Sequence, residues 1–175
     1  MSKKREQLLQ RSELLFSHQG FHAVGLKQLI KEADVSLMTL YNHFDSKESL
    51  ILEILKRREK RYFESLNMAS RSDDLSIPHA FTEAHLKWTA ANKANGCMFL
   101  RAKEEYNSIN DEVVAFVEQH KTHLFQLFHK HGLTKRESLR LVLLFEGATS
   151  SAEVFALNEV AEELRYSVQA LFPNS

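Results

Sequence analysis

The apolar positions of this chain recur at the spacing of helices rather than strands. Across residues 2–19 they lie on one face of a predicted helix, in two pairs seven positions apart: Leu8 with Leu15, and Leu9 with Phe16. Similar patterns predict helices over about 26–33, 36–43, 46–68, 78–92, 108–131, 135–156 and 158–173. No segment alternates as a strand would, so we expect an all-α fold of about nine helices.

Residues with special backbone or capping preferences mark the ends of these helices. Gly20 is expected to end the first helix, and Asp34 to adopt the left-handed conformation in a tight turn. Ser36 is expected to cap the third helix. Two pairs have the spacing of a capping box: Asp45 with Glu48, and Thr134 with Glu137.

Composition supports long helices and suggests a division of the chain. Only five glycines and two prolines occur in 175 residues, which leaves few helix breakers. We expect a first domain over residues 1–47, a connecting helix over about 46–68, and a second domain over 69–175. The polar stretch at 70–76 is interpreted as a linker.

Charge is unevenly distributed although the net charge is zero. Residues 1–63 hold 12 Lys and Arg against 8 Asp and Glu, whereas residues 64–175 hold 11 against 15. A basic front joined to an acidic back suggests that only the front meets a polyanion, although a split of this size can also arise by chance.

The second and third predicted helices, joined by a tight turn, have the form of a helix-turn-helix whose second helix enters the DNA major groove. Leu40 and Phe44 are expected to face inward, together with Val35. The side chains left mostly outward are those of Leu37, Met38, Thr39, Tyr41, Asn42 and His43.

These outward side chains suit contact with DNA. The hydroxyls of Thr39 and Tyr41 and the imidazole of His43 can donate to phosphate oxygens, and the Asn42 amide can pair with adenine. Lys47 lies at the start of the fourth helix, where an anion is also favoured. The alternative for Tyr41 and His43 is packing against the first helix.

The contiguous segment LFSHQGFHAVGLKQLIKEADVSLMTLYNHFDSKESLI, residues 15–51, resembles the tetracycline-repressor (TetR/AcrR) family of bacterial transcriptional regulators. The resemblance implies an N-terminal three-helix DNA-binding domain and a C-terminal helical domain for ligand binding and dimerisation. It implies a homodimer on a palindromic double-stranded DNA operator and a small-molecule effector. It also implies phosphate contacts by Ser36, Thr39, Tyr41, His43 and Lys47, base contacts by Leu37, Met38 and Asn42, and backbone contacts by Lys27 and Gln28, with Lys3, Lys4 and Arg5 trailing along the duplex.

The last predicted helix carries an apolar seam with spacings of 4, 3, 4 and 3. Its members are Leu157, Ala161, Leu164, Val168 and Leu171. Such a seam packs against another helix, and we expect it to contribute to a four-helix dimer interface. The alternative is that it belongs to the core of a single chain.

Bulky apolar residues between the linker and the last helices form a candidate ligand pocket: Trp88, Met98, Phe99, Phe116, Phe125 and Phe128. The alternative is plain core, which is the more common role of aromatic residues at helical spacing. Glu104, Glu105 and Tyr106 are either polar groups of the pocket or solvated side chains.

Other chemistry is weakly indicated. Cys97, the single cysteine, is either a sensor of electrophiles or a small buried hydrophobe, and His120 with His123 has the spacing of two metal ligands without a completing set. We find no phosphate loop, nucleophile elbow or catalytic carboxylate pair, so no enzyme, metal or cofactor is predicted.

The expected function is a repressor released by a small ligand. The alternatives are a helix-turn-helix adaptor controlled by a protein partner, a helical enzyme, and binding to a membrane surface, which the compact basic helices disfavour. One cysteine, and a charged first segment without an apolar run behind it, lead us to expect a cytoplasmic protein.

Overall fold

The computed structural model describes residues 3–71, 74–92 and 95–173. These residues form nine α-helices and no strands, which confirms the predicted fold class. The helices are α1 Lys3–Gln19, α2 Leu26–Glu32, α3 Leu37–Tyr41, α4 Lys47–Ala69, α5 Ile77–Ala91, α6 Met98–Tyr106, α7 Asp111–Lys130, α8 Lys135–Ser151 and α9 Leu157–Leu171. Within the described ranges no helix is long and apolar enough to cross a bilayer.

Most helix ends have the predicted chemistry. Gly20 and Asp34 have positive φ angles of 83° and 50°. The Thr134–Glu137 capping box is present. The predicted box between Asp45 and Glu48 is wrong: the reciprocal hydrogen bonds at the start of α4 join Ser46 and Ser49, each hydroxyl accepting from the other residue's amide.

Helix α6 was missing from the predicted helices. Its buried residues are Met98, Phe99, Ala102 and Tyr106, whose spacing of 1, 3 and 4 is helical. The helix has only nine residues and follows closely on the Asn95–Gly96 turn. A segment of that length is too short for the helical spacing of apolar residues to be recognised in the sequence. Helix α8 in turn ends at Ser151 rather than near 156, and a non-helical turn leads to α9.

The chain forms two compact units that are discontinuous in sequence. The first unit contains the described residues up to Arg58 and the segment Met98–Glu118, and the second unit contains Glu59–Cys97 and the described residues from Gln119 onward. The sequence had assigned residues 98–118 to the C-terminal domain, whereas the structure groups them with the helix-turn-helix. Of the predicted linker at 70–76, residues 72 and 73 lie outside the described ranges.

The core of the second unit is built by α5, α7, α8 and α9 together with the C-terminal part of α4. Phe81, Phe128 and Phe145 are fully buried there, with ring centroids 5.2 and 5.5 Å apart for the pairs Phe81–Phe128 and Phe128–Phe145. These rings belong to α5, α7 and α8, so their packing joins those three helices.

The apolar seam of α9 is part of this core. Ala161, Leu164 and Val168 are 8%, 4% and 0% exposed and belong to the core cluster of the second unit. These three side chains already pack within one chain, and a part for them in a dimer interface stays a prediction. Leu157 is half-buried and Leu171 is 40% exposed.

Candidate nucleic-acid interface

Helix α3 is held at both ends by short-range contacts. The Thr39 amide donates to Ser36 Oγ at 3.0 Å, and the two hydroxyl oxygens lie 2.8 Å apart. Leu40 is fully buried, and Phe44, just beyond the helix, is 5% exposed, so both anchor one side of α3 in the core of the first unit. A capped and anchored helix presents its other face in a fixed orientation.

The outer face of α3 is more apolar than a solvated helix requires. Met38 is 75% exposed, Tyr41 47% and Leu37 44%, and they adjoin the exposed Asn42. An exposed patch of large apolar side chains with a polar amide indicates a contact surface. Apolar groups can meet thymine methyls, and an amide can read adenine.

The other residues predicted to contact DNA are only partly available. Lys27 and Ser36 are exposed, while Thr39 and His43 are half-buried rather than sealed. The side-chain amide of Gln28, also half-buried, donates to Gln19 Oε1 at 3.0 Å. A backbone contact by Gln28 therefore competes with a bond inside the protein.

Two basic residues predicted to contact DNA also have structural partners. The Lys47 ammonium donates to the Phe21 carbonyl oxygen at 2.7 Å, and its nitrogen lies 5.9 Å from the centroid of the Phe16 ring. Burial lowers the pKa of Lys47, and the charges of Glu48 and Glu105 oppose that shift. Arg5 pairs with Glu53 at 3.1 Å. Phosphate contacts by these residues stay predictions.

The six predicted ligand-pocket residues are divided between the two units. Met98, Phe99 and Phe116 belong to the first unit, and the remaining three, Trp88, Phe125 and Phe128, belong to the second. Phe128 is core, as described above, and Phe125 is half-buried. Trp88 alone of the six lines a groove of about 570 Å³ between α4 and α5, with Met68, Leu75, Glu83 and Lys87 among its neighbours.

A buried polar network lies inside the second unit beside Trp88. His85 Nδ1 is 2.8 Å from the Tyr62 hydroxyl, and His85 Nε2 is 3.1 Å from the Thr149 hydroxyl. The Phe145 ring stacks on the imidazole at 4.1 Å. Burial lowers the pKa of His85 to about 3, assisted by the charge of Lys121 and opposed by a hydrogen bond to the Phe145 backbone. Burial likewise raises the pKa of Tyr62 well above its ordinary value.

The environments of Cys97 and of the histidine pair are now defined. The Lys121 ammonium lies 3.4 Å from Cys97 Sγ and bonds to Glu146 Oε1 at 2.5 Å. His120 and His123 both donate through Nδ1 to Glu59 Oε1, at 3.1 and 3.2 Å. Among the residues that the structure describes, no group of His, Cys, Asp or Glu side chains has the arrangement of a metal site.

An apolar groove of about 510 Å³ opens on the surface formed by α8 and α9. Leu143 and Phe155, which line it, are 65% and 63% exposed, and the small residues Gly147 and Ala148 form its floor. Small residues allow the close approach of another helix. Leu164, a member of the predicted α9 seam, also lines this groove.

The first unit matches a known family in sequence. Residues 8–54 match the model of bacterial regulatory proteins of the tetR family. The HTH-type transcriptional regulator UidR of Escherichia coli K12 is 39% identical over 57 residues, which are 33% of this chain and 29% of UidR. The chain therefore aligns with less than a third of the length of that curated relative.

Solved structures match almost the whole chain. SCO4454, a TetR-family transcriptional regulator from Streptomyces coelicolor, is 25% identical with a TM-score of 0.88, over 98% of this chain and 95% of that chain. The reduced form of NemR from Escherichia coli is 22% identical with a TM-score of 0.80, over 97% of this chain and 96% of that chain. The second likeness is one of fold.

Proposed function

We propose that the chain is a transcriptional regulator of the tetR family of bacterial regulatory proteins and that it binds a palindromic DNA operator. The observation that carries this proposal is the exposed outer face of α3, with Leu37, Met38, Tyr41 and Asn42 on a capped helix. Leu37, Met38 and Tyr41 are 44%, 75% and 47% exposed, so much of their apolar surface is open to contact.

The contacts divide into two classes. Met38 and Leu37 meet thymine methyls and Asn42 pairs with an adenine, so these three select the sequence. The second class contacts the phosphate backbone, which fixes the position of the protein on the duplex and makes its affinity depend on salt. Its members are Ser36, Thr39, Tyr41, His43, Lys27, Gln28 and Lys47.

A palindromic operator requires a two-fold dimer, and we assign its interface to the α8–α9 groove. The exposed Leu143 and Phe155 bury their apolar surface against a second copy of the chain. In the DNA-bound dimer the two copies of α3 then stand about 34–36 Å apart, one duplex turn.

The regulator acts as a repressor that a small molecule releases. The groove beside Trp88 supports this, since its volume of about 570 Å³ lies in the range of small-molecule sites and charged Glu83 and Lys87 flank an apolar lining. Helix α4 contributes residues to both units and is the proposed lever. A ligand shifts DNA affinity only by its differential affinity for the two states.

Selection of bound sequences from random duplex DNA, repeated at several salt concentrations, tests the proposal. We expect an enriched inverted repeat and an affinity that falls steeply with salt. A purified protein that prefers no duplex over a scrambled one at moderate ionic strength would refute it.

A further inference from the structure

The loop between α1 and α2 is held by a residue from α6, more than 80 positions away in sequence. The Phe21 amide donates to Glu105 Oε1 at 3.0 Å, and the His22 amide donates to Glu105 Oε2 at 2.5 Å. Both oxygens of one carboxylate are therefore used on consecutive backbone amides. Charge-assisted bonds of this kind are about twice as strong as neutral ones.

The same loop is fixed from its other side. The Phe21 carbonyl accepts from Lys47 at the start of α4, so one residue is held through both its amide and its carbonyl. The Phe21 ring is fully buried, with its centroid 5.1 Å from that of Phe16 and 6.2 Å from that of Tyr106, the residue after Glu105. The loop conformation is therefore determined by α1, α4 and α6 together.

Gly20 is suited to this clamp in two ways. Its φ of 83° is strained for any residue with a side chain. A Cβ at this position would lie only 2.8 Å from Glu105 Oε1. The carboxylate thus approaches the backbone as closely as glycine alone allows, which marks the contact as a built feature of the first unit.

We propose that Glu105 is a positioning residue for DNA binding: its carboxylate locks the α1–α2 loop and thereby holds α2 and α3 in the orientation that meets the duplex. This rests on the proposed function and extends the DNA-binding machinery beyond residues 8–54, to a helix outside the family match. Four residues separate the clamped Phe21 from the first residue of α2, and Gln19 and Gln28 join the two sides of the loop by a side-chain bond.

A purely electrostatic role and a positioning role of Glu105 predict opposite changes in DNA affinity when its charge is removed. Removing a negative charge from a DNA-binding unit should strengthen binding to a polyanion. Glu105→Gln removes that charge, but it also removes the pair of charged acceptor oxygens that hold the loop. We therefore expect about tenfold weaker DNA binding. A loss of this size results when the loop conformation that allows binding falls to about a tenth of the population. The matched control is Glu104→Gln at the exposed neighbouring position of α6, which should bind equally or more tightly.

A second variant distinguishes the effect of the Glu105 charge from the effect of its side-chain length. Glu105→Asp keeps the charge but shortens the side chain by one carbon, so it should also weaken binding to the selected duplex. Hydrogen exchange of the Phe21 and His22 amides should become about tenfold faster in both Glu105 variants and stay unchanged in Glu104→Gln, with helicity checked by circular dichroism.

The outcomes are distinct. If Glu105→Gln binds the selected duplex as tightly as Glu104→Gln, or if exchange at the two amides does not change, the positioning role is overturned. If the unmodified protein selects no duplex at all, the proposed function fails and the role in DNA binding fails with it, even where exchange confirms that Glu105 holds the loop.

Discussion

The burial of His85 predicts a specific loss of stability in mild acid. Its pKa is about 3 in the folded chain against an ordinary value of 6.5, because the imidazole lies inside the second unit between Tyr62, Thr149 and the Phe145 ring. The unfolded chain therefore binds the proton first as the pH falls. The stabilising contribution is complete above pH 6.5 and is lost progressively as the pH falls toward 3.

The size of the effect follows from the difference between the two pKa values. Each pH unit between them costs about 1.4 kcal/mol, so at pH 5 the loss from His85 alone is about 2 kcal/mol. That is a large part of the 5–15 kcal/mol typical of folded domains. Hydrogen bonds from Arg57 and Arg165 lower the pKa values of Glu6 and Glu83. These carboxylates therefore add to the loss of stability in acid, but a substitution at His85 does not change their contribution.

Urea unfolding at pH 7.5, 6, 5 and 4.5 measures the contribution. His85→Gln removes the titrating group, so its stability should fall with pH less steeply than that of the unmodified chain, by about 2 kcal/mol between pH 7.5 and 5. His18→Gln, at an exposed position, is the control for the loss of one histidine. Equal slopes for His85→Gln and the unmodified chain would refute the assignment of a buried neutral imidazole.

Four further substitutions test other parts of the structure. Tyr41→Phe should weaken binding by a similar factor on every duplex, whereas Asn42→Ala should relax preference at one base position, as measured by repeated sequence selection; uniform loss for Asn42→Ala would remove it from the base-reading set. Leu143→Glu should leave helicity unchanged and convert dimer to monomer in sedimentation, while an intact dimer would place the interface elsewhere. Thr134→Ala should cost about 1 kcal/mol in urea unfolding through loss of the α8 cap, and no loss would deny the capping box a stabilising role.

Local chemistry made the helix-turn-helix predictable. The left-handed Asp34, the Ser36 cap and the inward Leu40 and Phe44 are each decided within a few residues, and all appear as predicted. The residue that caps α4 was harder to predict, because Asp45 and Ser46 both precede the helix. Either side chain can accept a hydrogen bond from a backbone amide.

Glu105 was not predictable in the same way. Its partners, Phe21 and His22, are backbone amides, which leave no trace in a side-chain pattern. On the sequence alone the pair Glu104–Glu105 is two adjacent carboxylates, and nothing separates the exposed one from the one that clamps the loop. The hydrogen bonds from the Phe21 and His22 amides to Glu105, and the exposure of Glu104, give the two carboxylates different roles.

The α9 seam shows what periodicity can decide about the dimer. A heptad-like spacing identifies which side of a helix is apolar, but the same stripe suits a neighbouring helix of the chain or of a partner. In this structure α5 and α8 cover Ala161 and Val168, so that stripe is already satisfied. Exposed apolar surface lies on α8, where Leu139 and Leu143 are one helical turn apart and 53% and 65% exposed. A second copy seated there would bury surface that the monomer leaves in water, and for that reason the proposed interface follows the exposed residues rather than the seam.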